Sequence, residues 1–91
     1  MKIENVCIEK RKGFSVDVDG VNIKLVNKKY LRLYVNEELQ DVFWGLFVNS
    51  AKLIGKMPDG RKIKVCFGGH FVVHYAVFVD DKLVLNTYKN L

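Results

Sequence analysis

The dipeptide Asp19-Gly20 lies between two runs in which apolar and polar residues alternate, and no other feature of the chain constrains its fold as tightly. The runs cover residues 14–18 and 21–25. Because glycine accepts the positive φ of a two-residue type I′ turn, an Asp-Gly pair between alternating runs predicts a β-hairpin. The two-residue loop pairs Val18 with Val21, Val16 with Ile23 and Phe14 with Leu25. All six side chains then fall on one face, which is the expected core side of a sheet.

Two further strands are expected on either side of this hairpin. Residues 3–9 precede it and residues 30–35 follow it, with turns at residues 10–13 and 27–29. In both segments apolar residues recur at every second position, namely at Val6, Ile8, Leu31, Leu33 and Val35. A period of two puts such side chains on one face of a strand. The first part of the chain is therefore predicted to form four antiparallel strands with one buried face.

Residues 36–55 are predicted to form the single helix of the protein. Asn36 is a common N-cap residue, and Glu37 and Glu38 favour the positive end of a helix dipole. Apolar residues follow at helical spacing, at Leu39, Val42, Phe43, Leu46, Phe47, Leu53 and Ile54. Pro58-Asp59-Gly60 is expected to end the helix and turn the chain.

Three strands are predicted in the last third of the chain. They cover residues 62–67, 71–79 and 82–88, with connections at Gly68-Gly69 and Asp80-Asp81. If both connections have two residues, an apolar face is formed by Ile63, Val65, Val72, Ala76, Phe78, Leu83 and Leu85. The opposite face is then formed by Lys62, Lys64, Tyr75, Asn86 and Tyr88. A three-residue second connection would instead turn the last strand over.

These segments together predict an α+β fold. About four antiparallel strands are followed by one central helix and then by about three antiparallel strands, in the order ββββαβββ. A chain of 91 residues suits a single domain over residues 1–91, because two hydrophobic cores would not fit. Its 49% hydrophobic and 27% charged residues are typical of a globular protein and argue against a disordered one.

The chain carries no signal for a membrane or for secretion. Its longest apolar run, residues 71–79, is interrupted by His74 and is shorter than the about 20 residues that a membrane-spanning helix needs. Cys7 and Cys66 are expected to be buried free thiols, since small secreted scaffolds normally carry four or more cysteines. We therefore expect a soluble cytoplasmic protein with no membrane partner.

The charge balance favours an anionic partner. Fifteen Lys and Arg residues against ten Asp and Glu give a net charge of +5, which suits phosphate-bearing ligands, although solubility alone explains it equally well. Twelve of the fifteen basic residues are lysine, a flexible point charge that lacks the fork geometry of arginine. Contacts with a nucleic acid are therefore expected to be directed to its backbone rather than to its bases.

Tyr30, Arg32 and Tyr34 form the candidate binding site. They recur at every second residue and so share one side of a strand. Aromatic rings stack on unpaired bases while cations neutralise phosphates, so the surface predicts nucleic-acid binding, preferably to single strands. The cations expected to extend it are Lys10, Arg11, Lys12, Lys28, Lys29, Lys62 and Lys64. The structural alternative is that tyrosine is a common strand residue and lysine a common solvated one.

A protein-interaction module, such as a small inhibitor or adaptor, is the second hypothesis. Such a module would dock through an exposed strand edge or through Trp44 and Val48, which lie off the apolar stripe of the predicted helix and favour a partner or a second copy. The structural alternative for Trp44 is that it covers the edge of the sheet.

No set of residues predicts an enzyme, a metal site or a cofactor. Cys66, His70 and His74 are residue types that bind zinc, but four residues of extended strand separate the two histidines by about 13 Å. A cysteine nucleophile would need an imidazole within hydrogen-bond reach and an oxyanion site. The carboxylates occupy predicted turns and a helix start, and such turns bind divalent ions only occasionally.

Overall fold

In a computed structural model of the protein, which describes residues 1–9, 12–28, 30–43, 51–68 and 74–87, every regular element is a β-strand. The strands are β1 (Ile3–Glu9), β2 (Gly13–Val18), β3 (Val21–Lys28), β4 (Tyr30–Val35), β5 (Glu38–Phe43), β6 (Ala51–Lys56), β7 (Lys62–Gly68), β8 (His74–Val79) and β9 (Lys82–Asn86). They form two antiparallel sheets, in the orders β1-β2-β3-β4-β5 and β6-β7-β8-β9. Each sheet is a meander in which consecutive strands are neighbours.

The four strands predicted before residue 36 are present, but Val6 and Ile8 of the first strand are 49% and 45% exposed and do not join the predicted buried face. The register of the first hairpin is confirmed. Its apolar pairs are Val18 with Val21, Val16 with Ile23 and Phe14 with Leu25. Asp19 and Gly20 have φ values of 50° and 80°, as a left-handed two-residue turn requires. All the paired side chains except Val21 are buried.

The predicted helix over residues 36–55 is wrong, and with it the α+β class, because the described part of this segment consists of β5 and β6. Asn36 and Glu37 have φ values of 48° and 67° and form a tight turn that pairs β4 with β5. Leu39, which belongs to the apolar stripe of the predicted helix, is 51% exposed, whereas Leu53 of the same stripe is 1% exposed. Asparagine favours both helix N-caps and left-handed turns, so its presence does not distinguish the two. Residues 44–50 lie outside the described residues.

The predicted face of β8 is also wrong. Gly68 continues β7 and pairs with His74 instead of turning at Gly68-Gly69, and this turns β8 over. Tyr75 is consequently 2% exposed in the core, whereas Phe78 lies opposite Lys64 on the outer side. A one-residue slip exchanges the two faces of a strand, which explains the error.

The second predicted two-residue turn, Asp80-Asp81, is present, with Val79 opposite Lys82. An irregularity in the pairing of β8 with β9 then separates the two leucines that were predicted to share a face. Leu85 is 8% exposed in the core, and Leu83 is 52% exposed.

The inner faces of the two sheets enclose one hydrophobic core. Phe14 meets Tyr75 of the other sheet edge-on, with ring centroids 5.4 Å apart, and Phe43 meets Phe67 in the same way at 5.2 Å. Burial of such rings is the main stabilising contribution of a sandwich core. Because the two inner faces meet, the two outer faces point in opposite directions.

Polar side chains link the two sheets outside this core. Asp41 of β5 accepts a hydrogen bond of 2.9 Å from the backbone N–H of Ile54 in β6. Arg61, before β7, donates to Asp19 in the β2–β3 turn and to Asp59, both at 2.8 Å. The two carboxylates raise the pKa of Arg61. These contacts align the turn end of one sheet with that of the other.

Candidate nucleic-acid interface

The outer side of the five-stranded sheet carries the predicted tyrosine and arginine row, and we call it the tyrosine face after Tyr30, Arg32 and Tyr34. Alternate residues of β4 are buried, so these three side chains all point outward. A guanidinium nitrogen of Arg32 donates a hydrogen bond to the hydroxyl of Tyr30. The carbon at the centre of the guanidinium also lies 4.2 Å from the centroid of the Tyr30 ring, which is a cation–π contact.

Arg32 lies between Tyr30 and Tyr34 along its strand. The hydroxyl of Tyr30, and to a lesser extent that of Tyr34, raises the pKa of Arg32, and a guanidinium is charged at neutral pH in any case. A guanidinium has five N–H donors, and the hydrogen bond to Tyr30 uses one of them. The row therefore combines two aromatic rings with a fixed cation that retains donors for a ligand.

The neighbouring strands set the surroundings of this row. Lys24 of β3 pairs with Tyr34 and is exposed, so a second cation stands beside the ring. Arg32 pairs with Val26 on one side and with Val42 on the other. An aromatic and cationic centre with apolar flanks suits a base that stacks while its phosphate is neutralised.

A depression of about 560 Å³ lies on the same face, next to the row. It is lined by Cys7, Glu9, Lys12, Gly13, Phe14, Ser15, Lys24, Leu25 and Val26. Gly13 has a φ of 126°, and a Cβ on it would come within 1.8 Å of the carbonyl oxygen of Leu25. This backbone therefore accepts no side chain, and the missing side chain helps to open the depression.

The far part of the tyrosine face is acidic. Glu4 of β1 pairs with Asp17 of β2, which in turn pairs with Asn22 of β3. Side-chain hydrogen bonds from Asn5 and Asn22 lower the pKa of Asp17, so this carboxylate is ionised at neutral pH. A polyanion is consequently favoured over the row and the depression and disfavoured over this corner.

The outer side of the four-stranded sheet is a separate basic surface, which we call the lysine face after Lys52, Lys56, Lys62 and Lys64. Lys56 pairs directly with Lys62, and Lys64 pairs with Phe78. The ammonium nitrogen of Lys64 lies 5.2 Å from the centroid of the Phe78 ring. Among the described residues, no Asp or Glu belongs to the outward positions of β6–β9.

Comparison of the chain with models of protein families, with curated proteins and with solved structures gives no match. The described part of the chain contains no helix long and apolar enough to cross a membrane. The two faces are therefore interpreted from their own chemistry.

The predicted site residues do not form one surface. Lys12 lines the depression on the tyrosine face, and Lys28 occupies the β3 position opposite Tyr30. Lys62 and Lys64 belong to the lysine face on the other side of the molecule. Five predicted residues lie outside the described part of the chain, namely Lys10, Arg11, Lys29, Trp44 and Val48.

Sequence reasoning missed Lys52 and Lys56 as surface residues of a sheet, because Lys52 lies within the helix predicted over residues 36–55 and Lys56 directly follows it. The alternation of Lys52, Ile54 and Lys56 with buried residues is the signal that identifies them. It also missed the lack of a side chain at Gly13, whose significance requires the pairing of β2 with β3.

Both cysteines are free thiols, as expected. Neither of them is buried, which contradicts the expectation of buried thiols. Cys7 is exposed on the tyrosine face opposite Ser15, and Cys66 is partly exposed on the lysine face opposite Ala76. The described residues contain no group of three or more His, Cys, Asp and Glu side chains that could hold a metal ion, and His70 lies outside them. Nδ1 of His74 is 3.1 Å from the carbonyl oxygen of Thr87.

Proposed function

We propose that the protein binds nucleic acid, preferably single-stranded, on the tyrosine face. The observation that supports this most directly is the Arg32 guanidinium, which is hydrogen-bonded to the Tyr30 hydroxyl and stacked on the Tyr30 ring, with Tyr34 beside it on the outer side of the sheet. Unpaired bases can stack on the ring of Tyr34 and on the face of the Tyr30 ring that Arg32 does not cover, whereas the bases of a duplex are already stacked on each other. Arg32 and Lys24 neutralise the phosphates beside them.

The depression extends this site across β2 and β3. Lys12 and Lys24 both line it, and Val26 connects it to Arg32 by direct cross-strand pairing. Its position next to the row suits one nucleotide that leaves the stack. Because few arginines are present, the binding is directed to the backbone and tolerates many sequences.

Arg32→Ala and Tyr34→Ala separate the cationic contribution from the stacking contribution. Anisotropy of a labelled oligothymidine, measured between about 50 and 200 mM salt, gives both the affinity and its salt dependence. Arg32→Ala is expected to lower the affinity and to reduce the slope of log K against log salt by about 0.7, the value for one contact to a single strand. Tyr34→Ala is expected to weaken binding by about 1–3 kcal/mol, as for the loss of one stacked base, with an unchanged slope.

Lys82→Ala is the matched control, because Lys82 is an exposed cation beside the β8–β9 turn and outside both faces. It is expected to leave the affinity close to that of the wild type. A hairpin duplex of equal length is expected to bind more weakly than the single strand. If no binding is detected at low salt, or if the two variants behave like Lys82→Ala, the proposed function is wrong.

A strand edge that docks another protein is the second candidate function, and β1 is the observation that favours it. All seven residues of β1 are exposed, and among the strands that the structure describes β1 has a neighbour only on its β2 side. Ile3, Val6 and Ile8 are 41%, 49% and 45% exposed. An edge strand with exposed apolar side chains can accept a strand from a partner or from a second copy. The predicted Trp44 and Val48 patch lies outside the described residues.

A further inference from the structure

We infer that the lysine face is a second nucleic-acid site, so that one protein molecule bridges two single-stranded segments. The inference rests on the proposed function of the tyrosine face and extends it. Among the described residues, the basic side chains that the sequence suggested as one patch lie on two outer faces separated by the core, which turns one site into two.

The charge pattern of the lysine face points to an anionic ligand. Lys56 and Lys62 are exposed cross-strand partners, an arrangement of like charges that destabilises a sheet when nothing lies between them. Lys52 and Lys64 add two further cations. The described strands of this sheet carry no carboxylate at outward positions, and the carboxylate of Asp80, in the adjoining turn, accepts from the backbone N–H of Lys62. A chain of phosphates that crosses β6 and β7 removes this repulsion.

The same face also offers apolar surface for bases. Phe78 is partly exposed between Lys64 and Leu83, and Ile54 is 37% exposed beside Lys64. Cation and aromatic ring are in contact here, as they are for Arg32 and Tyr30 on the tyrosine face. The lysine face has the weaker stacking groups, so we expect it to bind a single-stranded oligonucleotide with the lower affinity of the two faces.

A short strand cannot occupy both faces. The shortest dimension of the molecule is 21 Å, and a strand that passed from one face to the other would have to travel round the sandwich. At the end where Arg61 joins the two sheets, the turns carry Asp19, Glu37, Asp59, Asp80 and Asp81. These carboxylates lie beyond the Lys56–Lys62 pair and oppose a polyanion that would continue round that end to the other face. Two faces therefore correspond to two separate segments.

The two cysteines report the faces independently, because Cys7 lies on the tyrosine face and Cys66 on the lysine face. The alkylation rate of each thiol is measured by mass spectrometry with and without a short oligothymidine. We expect Cys7 to be protected at low concentration of the oligothymidine and Cys66 at higher concentration. Donor-labelled and acceptor-labelled oligothymidines should then show energy transfer, in complexes whose mass by light scattering corresponds to one protein and two oligothymidines.

The double variant Lys56→Gln with Lys62→Gln tests the lysine face. It is expected to abolish energy transfer and the protection of Cys66 while it leaves the protection of Cys7 unchanged. Its matched control is Lys2→Gln with Lys82→Gln, which removes the same charge at two exposed positions, one in an ion pair with Glu4 at the acidic corner of the tyrosine face and one beside the β8–β9 turn, and should keep both effects.

The outcomes distinguish the inference from the function on which it rests. Protection of Cys7 alone, with one oligothymidine per protein, overturns the inference and leaves the proposed function intact. Absence of oligothymidine binding overturns both. If polyglutamate at the same charge concentration protects Cys66 as well as the oligothymidine does, the lysine face is a site for acidic proteins and the inference is wrong.

Discussion

Three tight turns begin with a residue that makes the same pair of hydrogen bonds. In each turn, the backbone N–H of the first turn residue donates to the carbonyl oxygen of a partner residue beside it in the sheet. The side-chain oxygen of the first turn residue accepts from the backbone N–H of the same partner. The pairs are Asp19 with Lys2 (2.8 and 2.7 Å), Asn36 with Asn22 (2.8 and 2.9 Å) and Asp80 with Lys62 (2.9 and 2.9 Å). All three first residues have φ values near 50°. Short Asx side chains tolerate this backbone and bond nearby backbone groups, so the same residue turns the chain and extends the pairing.

Glu37→Gly tests this account at the second position of one turn. Glu37 has a φ of 67°, where an L residue loses about 1–2 kcal/mol. Glycine removes that cost but loses about 0.5–1 kcal/mol more conformational entropy on folding. The variant is therefore expected to raise the free energy of unfolding by roughly 0.5–1 kcal/mol in urea denaturation.

Asp81→Gly, at the corresponding position of the β8–β9 turn with a φ of 65°, should change stability in the same direction. Within a helix over residues 36–55, Glu37→Gly would instead destabilise the protein or leave it unchanged, since glycine is a poor helix former. The sign of the change thus decides between turn and helix.

At the scale of the elements, the hairpins could be predicted where a local signal was sufficient. Asp19-Gly20 fixes its own turn, and the alternating runs beside it fix the register. In residues 36–55 the apolar spacing was compatible with a helix, and the pairing of β5 with β4 decided the outcome. Tertiary context commonly overrides local preference in this way. The face of β8 depended on the length of one connection, which the Gly68-Gly69 pair did not reveal.

The edge strand β1 yields a prediction for the second candidate function. If β1 docks a second copy, the mass measured by light scattering should increase with protein concentration. Val6→Lys should reduce that increase, because a charge among the apolar residues of an edge strand opposes strand addition. Leu83→Lys, which changes an exposed leucine of β9, an edge strand of the four-stranded sheet, is the matched control and should associate like the wild type. A wild-type protein that remains monomeric at all concentrations would exclude self-association through β1.

At the scale of the whole molecule, the arrangement of the basic residues could not be predicted from the chain. Alternation predicted that Tyr30, Arg32 and Tyr34 share one side of a strand, and they do. It could not predict that β4 and β7 belong to different sheets, which places Lys62 and Lys64 on the opposite side of the core from Arg32. That information lies in long-range pairing, which no local pattern encodes.

The link between the sheets at Arg61 predicts how stability depends on acid. Hydrogen bonds from the backbone N–H of Lys2 and from Arg61 lower the pKa of Asp19, and the backbone and side chain of Arg61 lower that of Asp59. A carboxylate with a lowered pKa in the folded state stabilises the protein above its unfolded pKa of about 3.9 and loses this effect as the pH falls through the folded value. Arg61→Ala should therefore be less stable than the wild type in urea at pH 7, and the difference should shrink below about pH 4.

Asp17, whose pKa is lowered by Asn5 and Asn22, is present in both proteins, so its contribution to the pH dependence of stability cancels when the two are compared. Lys82→Ala should show no such pH dependence, and a difference for Arg61→Ala that stayed constant down to pH 3 would mean that Arg61 acts through packing rather than through its charge.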